Sequence, residues 1–160
     1  MGVNIPRPRP EPTPSGRPGD GPGLVIVGVD GSRAAWRAFW WAIGHGRRAR
    51  CPVLAVYVAT STFVTSLISY GDRDGRIAEA LDALARELAE QVAAAAADLG
   101  VDVQFAHVRG EPTSALLTVA RERAADLIVV GAPDNMVHRL VGSHTASLIR
   151  RREIPVVVVP

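Results

Sequence analysis

The C-terminal stretch Val129–Pro160 reads VVGAPDNMVHRLVGSHTASLIRRREIPVVVVP and decides the fold class. A short apolar run ends at Gly131, a loop follows, and Gly142 and Ser143 open a run with helical spacing. The chain then returns as four consecutive valines, which is typical of a β-strand. A strand, a crossover helix and a second strand make a β–α–β unit, so we expect the two strands to be parallel.

The same alternation of strands and helices extends back towards the N-terminus. Further runs rich in apolar and β-branched residues read as strands at residues 24–30, 52–60 and 101–108. Helical patterns occupy about residues 33–43, 73–99, 112–125 and 143–152. For the first helix we expect the end at Gly44 or Gly46. The pattern predicts an α/β fold with an open, doubly wound five-stranded parallel sheet and helices on both faces.

The N-terminal residues 1–22 differ sharply from the rest of the chain. They contain seven of the twelve prolines and almost no apolar side chains. Such a segment cannot bury enough surface to offset the entropy lost on ordering. We therefore predict a disordered tail rich in proline, glycine and arginine over residues 1–22, and one folded domain over residues 23–160.

Composition argues against several classes of protein. The net charge is only +2, so we expect no nucleic-acid partner, and all the positive side chains are arginines because the chain has no lysine. No apolar run is long enough to span a membrane, and no signal-peptide core is visible. The single cysteine, Cys51, cannot form an internal disulfide, and we expect it to be buried. We predict a soluble, cytoplasmic protein.

The loops after the predicted strands carry the candidate binding residues, because open parallel sheets bind ligands beyond the carboxyl ends of their strands. Gly131 has no Cβ, so another backbone or a ligand can come close to it. The helix start at Gly142 and Ser143 offers free N–H groups to an anion, and the hydroxyls of Ser143 and Thr145 add possible donors. From the residues alone, a capped helix start without a ligand remains an alternative.

Two further side chains belong to the same candidate site. Asp30 ends the first strand, and its carboxylate can accept a hydrogen bond from a ribose hydroxyl or an adenine amine. A turn-forming aspartate that accepts local amides is the alternative. His144 follows Ser143 and is a candidate phosphate contact, whereas a solvent-facing residue in the first turn of the helix is the other interpretation.

Four segments carry a family resemblance in their order and spacing. VGVDGSRAAWRAFWWA, VLAVYV, GEPTSALLTVARERAADLIVVGA and VGSHTASLIRRREIPVVVV resemble the universal stress protein family, over about residues 24–159. The resemblance implies a stress-response protein with a five-stranded, Rossmann-like parallel sheet of the adenine nucleotide alpha hydrolase-like kind. It also implies a homodimer, and it leaves open two branches, of which one binds ATP and the other does not.

The resemblance also implies where a nucleotide would bind. Asp30 would contact the nucleoside, the backbone around Val58 would recognise the adenine edge, and Val130 would line the adenine pocket. Gly131 matches the first glycine of the ATP-binding pattern, and Gly142 with Ser143 matches the last pair. The full set of expected adenine-nucleotide contacts is Val29, Asp30, Val58, Val130, Gly131, Gly142, Ser143, His144 and Thr145.

The phosphate loop departs from the family pattern in two ways. Asp134 stands where the family has its second glycine, and ten residues separate Gly131 from Gly142 in place of twelve. A carboxylate near a phosphate costs about 1–4 kcal/mol, depending on solvent screening. We therefore expect weakened ATP binding, or a nucleotide with fewer phosphates. Compensation by His138 or Arg139 and a Mg²⁺ ion on Asp134 are conjectures, and a dimeric protein-interaction module from the non-ATP branch is the alternative function.

The remaining patterns concern partners and other chemistry. The final strand Val156–Val159 should lie at a sheet edge, and both this edge and the resemblance predict a homodimer that pairs through it; further protein partners are not identifiable. Trp36, Trp40 and Ile43 share one helix face, which predicts packing against the sheet or a partner. The histidines lack metal-ligand spacing and no placed general base is visible, so we expect neither a protein-bound metal centre nor an enzyme.

Overall fold

The computed structural model describes residues 23–60, 76–132 and 143–160, apart from the side chains of residues 76–78 and 143. The predicted tail over residues 1–22, the connection after the second strand and the loop that contains Asp134 lie outside these ranges.

The described residues form one parallel sheet with helices on both faces, which confirms the predicted fold class. The strands are β1 Val25–Gly28, β2 Val53–Ala59, β3 Val103–Arg109, β4 Leu127–Gly131 and β5 Val156–Val159. The helices are α1 Arg33–Ala49, α2 Arg76–Ala96, α3 Pro112–Glu122 and α4 Ser143–Arg151. The strand order is β3-β2-β1-β4-β5, and all four neighbouring pairs are parallel. The chain therefore reverses its winding direction between β1 and β4.

Two apolar layers hold the helices to the sheet, because successive strand residues point to opposite faces. On one face, Val27 and Val129 belong to a buried cluster that includes Phe39 of α1 and Leu88 of α2. On the other face, Ile26 and its neighbours pack with residues of α3 and α4 such as Leu117 and Leu148. Both faces are covered, which explains why the central strands are apolar throughout.

Helix α1 continues past both glycines that were expected to end it. It runs to Ala49, and Arg50 caps it in the left-handed conformation with φ 53°. Gly46 is buried, and a Cβ there would lie 2.8 Å from Val53 Cγ2 and 2.9 Å from the carbonyl oxygen of Cys51. This glycine allows the helix to lie close to the start of β2, so the prediction of a helix end at Gly44 or Gly46 was wrong.

The aromatic residues of α1 do not share one buried face. Phe39 and Ile43 are buried, whereas Trp40 is 50% exposed and touches Phe39 edge-on, with the ring centroids 5.4 Å apart. Trp36 is partly buried against the same cluster. Of the two predicted alternatives, packing against the sheet therefore does not hold for Trp40, and its role on a partner surface stays a prediction.

Four other features of the described chain bear on the sequence predictions. Strand β5 lies at an edge of the sheet, as expected, and Cys51 is buried. Helix α2 ends at Ala96, and Gly100 follows it with φ 65°. Of the helices in the described ranges, none combines the length and apolar character needed to cross a bilayer.

Candidate functional site

A cleft of about 800 Å³ lies where the winding direction of the sheet reverses. It opens at the carboxyl ends of β1, β2 and β4, and the first turns of α1, α3 and α4 form its rim. This is the position at which open α/β sheets bind ligands. Its lining consists of Gly28, Val29, Asp30, Ser32, Arg33, Ala34, Ala35, Val56, Val58, Thr60, Pro112, Thr113, Leu116, Val130, Gly131, His144, Thr145 and Leu148.

The floor of the cleft is apolar because it continues the buried layer under α3 and α4. Val56 and Val130 point from the sheet to this face, and Leu116 and Leu148 meet them from the two helices. Val58 follows Val56 by two residues on β2 and is half-buried. An apolar floor bounded by polar loops is a surface that can bury a purine ring.

The turn after β1 fixes the orientation of Asp30. Its Oδ1 accepts a hydrogen bond from Ser32 N at 2.9 Å, and Ser32 Oγ in turn accepts one from Ala35 N at 3.1 Å. Gly31 permits this turn because its φ is 82°. Asp30 thus serves as a local turn acceptor through one oxygen. Its second oxygen, Oδ2, makes no hydrogen bond with any residue in the described ranges, and the side chain is exposed at the cleft rim.

The charge of Asp30 reaches the opposite side of the sheet. Burial raises the pKa of the Tyr57 hydroxyl, and the Asp30 carboxylate raises it further. Tyr57 stacks on His107 with the ring centroids 5.3 Å apart.

Gly131 is required by the protein backbone itself. A Cβ at this position would lie 2.2 Å from the carbonyl oxygen of Ala34 and 2.3 Å from its carbonyl carbon. The first turn of α1 therefore packs directly against the end of β4. Of the two possibilities raised by the sequence, close approach of another backbone is the one observed.

The opposite rim is built on an N-cap that the sequence analysis missed. Glu111 caps α3, since its two carboxylate oxygens accept hydrogen bonds from Thr113 N at 3.0 Å and Ser114 N at 2.8 Å. Burial acts to raise the pKa of Glu111, but these hydrogen bonds outweigh it and lower the pKa to about 2. The available signal was an acidic residue immediately before a proline at the first helical position.

Helix α4 is joined to this cap. His144 Nδ1 lies 3.3 Å from Glu111 Oε1, and Thr113 Oγ1 donates to the carbonyl oxygen of His144 at 3.5 Å. Thr113 and Thr145 are both buried, which places their hydroxyl-bearing side chains at the inner edge of the cleft.

The structure brings most of the expected site residues together. The members that line the cleft are Val29, Asp30, Val58, Val130, Gly131, His144 and Thr145. Gly142 and the side chain of Ser143 lie outside the description, although α4 begins at Ser143 as expected. The cleft also contains Arg33 and Thr113, which the sequence analysis did not select.

The described ranges contain no group of three histidine, cysteine, aspartate or glutamate side chains placed to hold a metal ion. Asp134, His138 and Arg139 lie outside those ranges. The conjectured Mg²⁺ ion on Asp134 and compensation by the other two side chains therefore stay conjectures.

Comparison with known proteins gives one family. The family model of the universal stress protein family matches residues 24–160. The chain belongs to the universal stress protein family. A curated member, Universal stress protein MJ0531 of Methanocaldococcus jannaschii, is 27% identical over 137 residues, which cover 84% of this chain and 80% of that protein.

Solved structures of other universal stress proteins share the fold. One from Arabidopsis thaliana with AMP bound has a TM-score of 0.64 at 22% identity, over 86% of this chain and 91% of that one. One from Archaeoglobus fulgidus in complex with dAMP has a TM-score of 0.62 at 21% identity, over 86% and 98% of the two chains. At these identities the comparison shows a common fold for this universal stress protein and the two solved chains.

Proposed function

We propose that this universal stress protein is a stress-response protein that binds an adenine nucleotide in the cleft between β1, β2 and β4. The observation that carries the proposal is the convergence of an apolar floor with Asp30 and the first turn of α4 at the sheet's reversal point. Two structural relatives, one with AMP bound and one in complex with dAMP, support the same ligand class.

The base is expected on the floor formed by Val56, Val130 and Leu116. The exposed second oxygen of Asp30 is suited to accept a hydrogen bond from a ribose hydroxyl or from the adenine amine. The first turn of α4 is expected to face the phosphate side, because free N–H groups at a helix start favour anions.

The proposed role is binding rather than catalysis. The carboxylates of Asp30 and Glu111 already accept hydrogen bonds from backbone N–H groups: Asp30 from that of Ser32, and Glu111 from those of Thr113 and Ser114. The pKa of about 2 also makes Glu111 a poor general base at neutral pH.

Titration calorimetry with adenosine, AMP, ATP and GMP tests the ligand class. We expect AMP to bind and GMP to bind at least about tenfold more weakly, a difference of about 1.4 kcal/mol. Mass spectrometry of the protein purified without added nucleotide provides an independent test through the copurified ligand. Absence of binding by adenosine and AMP would refute the nucleotide proposal and favour the alternative, an interaction module without ATP. The altered loop sequence around Asp134 is the observation that favours that alternative.

We also propose that the protein forms a homodimer through the free edge of β5. Pro155 O accepts a hydrogen bond from Ile128 N, and Val159 O accepts one from Ala132 N, so alternate residues of this strand face β4. The backbone groups of Val156 and Val158 therefore face away from β4. An apolar edge of this kind is a template for pairing with a second chain.

Proline substitutions test the two edges of β5 separately, because alternate residues direct their N–H groups towards β4 or away from it. Val158→Pro removes an N–H that β4 does not use, and we expect it to shift the sedimentation equilibrium from dimer to monomer. The monomer mass is 17.0 kDa, and the dimer has twice that mass. Val157→Pro is the matched control, because it removes an N–H that faces β4 and should lower the melting temperature. A wild-type protein that sediments as a monomer at micromolar concentration would refute the dimer.

A further inference from the structure

Arg33 is a cationic side chain at the rim of the cleft that the family resemblance does not account for. It is the first residue of α1, it lines the cleft, and it is exposed. Among the described residues it has no hydrogen-bond or ion-pair partner. No residue of the described ranges therefore competes with a ligand for its guanidinium.

The position of Arg33 is fixed from two directions. Ser32 caps α1 immediately before it, through the bond to Ala35 N. Ala34 immediately after it lies against Gly131 at the end of β4. The backbone of Arg33 is thus held between the ends of β1 and β4, three residues after Asp30.

The charges around the cleft make this arginine distinctive. Arg33 is the one lysine or arginine among the described residues that line the cleft, and the whole chain has no lysine. Asp30 lies on the same rim, and Glu111, which caps α3, lies beside His144 of the opposite rim. The formal charges of Asp30 and Arg33 cancel, so the described rim offers little compensation for several phosphate groups.

We propose that the Arg33 guanidinium anchors the phosphate of a nucleoside monophosphate, and that this contact makes the cleft prefer one phosphate to three. The inference rests on the proposed function and deepens it. A guanidinium matches a phosphate because it donates parallel hydrogen bonds to two oxygens. A second and third phosphate would add negative charge that the described rim does not neutralise.

The test compares adenosine, AMP and ATP on four proteins: the wild type, Arg33→Gln, Arg33→Lys and Arg48→Gln. Arg48 is the matched control, because it is an exposed arginine near the other end of α1. Arg48 follows Arg33 by fifteen positions in the same helix, which places the two residues about 22 Å apart along the axis. Circular dichroism melts establish that each variant is folded.

We expect wild-type AMP affinity to exceed adenosine affinity by about 10- to 100-fold, as a charge-assisted hydrogen-bond pair provides. Arg33→Gln should remove most of that difference and leave adenosine affinity unchanged. Arg33→Lys should keep part of it, Arg48→Gln should keep all of it, and ATP should bind no more tightly than AMP.

The unfavourable outcomes are distinct. Unchanged AMP affinity in Arg33→Gln, or an equal loss for adenosine and AMP, would overturn the role of Arg33. ATP binding more than about tenfold tighter than AMP would overturn the preference for one phosphate. Failure of the wild type to bind either adenosine or AMP would refute the proposed function, and the inference with it.

Discussion

Replacement of Gly131 by alanine is expected to destabilise the protein through α1. The added Cβ would lie 2.2 Å from the carbonyl oxygen of Ala34, which is 1.2 Å short of the 3.4 Å at which ordinary contact begins. The obstacle is main chain inside a helix, so no side-chain rotation relieves it. Overpacking of this kind costs about 1–3 kcal/mol, and we take the upper end because the backbone must move.

The net loss of stability in Gly131→Ala is smaller than this overpacking cost. Removal of a glycine from a strand returns about 0.5–1 kcal/mol, so the free energy of unfolding should fall by about 2 kcal/mol. For a domain of this size that corresponds to a drop of about 6 °C in melting temperature. The measurement is urea unfolding followed by circular dichroism, together with a thermal melt.

Gly28→Ala is the matched control for Gly131→Ala. Both glycines line the cleft at a strand end, but a Cβ at Gly28 would lie 3.7 Å from Leu116 Cδ1 and 3.8 Å from Val130 Cγ1. These are ordinary contacts, so we expect the urea midpoint of Gly28→Ala to be equal to or higher than that of the wild type. Equal urea midpoints for Gly131→Ala and the wild type would show that α1 moves away from the added Cβ at no cost in stability. That result would refute the predicted destabilisation.

Two further predictions concern the cap of α3 and the strand ends. The lowered pKa of Glu111 stabilises the folded state above pH about 4.5, and this contribution is lost as the pH falls to about 2, where the folded-state carboxylate takes up its proton. In urea unfolding, Glu111→Gln should therefore be less stable than the wild type at pH 6, by a difference that disappears near pH 2; a constant difference would contradict this. Arg37 donates hydrogen bonds to the carbonyl oxygens of Pro160 and Ala132, at 2.8 and 3.1 Å. Arg37→Met should lower the free energy of unfolding by about 1–2 kcal/mol, as two partly exposed bonds imply, and an unchanged urea midpoint would show that those bonds add nothing.

The fold could be predicted because its signals are local and repeated. Each apolar run is followed by a helical pattern, and parallel strands all end at the same edge, so Asp30, Val58 and Gly131 had to lie near one another. The end of α1 could not be predicted in the same way. Gly46 looks like a helix terminator in sequence, but its missing Cβ serves the packing of α1 on Val53 and the backbone of Cys51. That contact joins residues whose proximity depends on the completed sheet.

Asp30 and His144 could be predicted as cleft residues, but Arg33 and Glu111 could not, and the reason is geometric. Glu111 and His144 are distant in sequence, and they meet because α3 and α4 cover the same face of the sheet. Arg33 reads as an ordinary surface residue until the contact between Ala34 and Gly131 shows that its helix begins at the reversal point. Sequence patterns thus predict which strand ends form the cleft, whereas the ligand preference proposed for it rests on first-turn side chains that only the packed helices bring together. Under the proposed function, we therefore expect substitutions at those first turns to change the ligand and to leave the apolar pattern of the strands untouched.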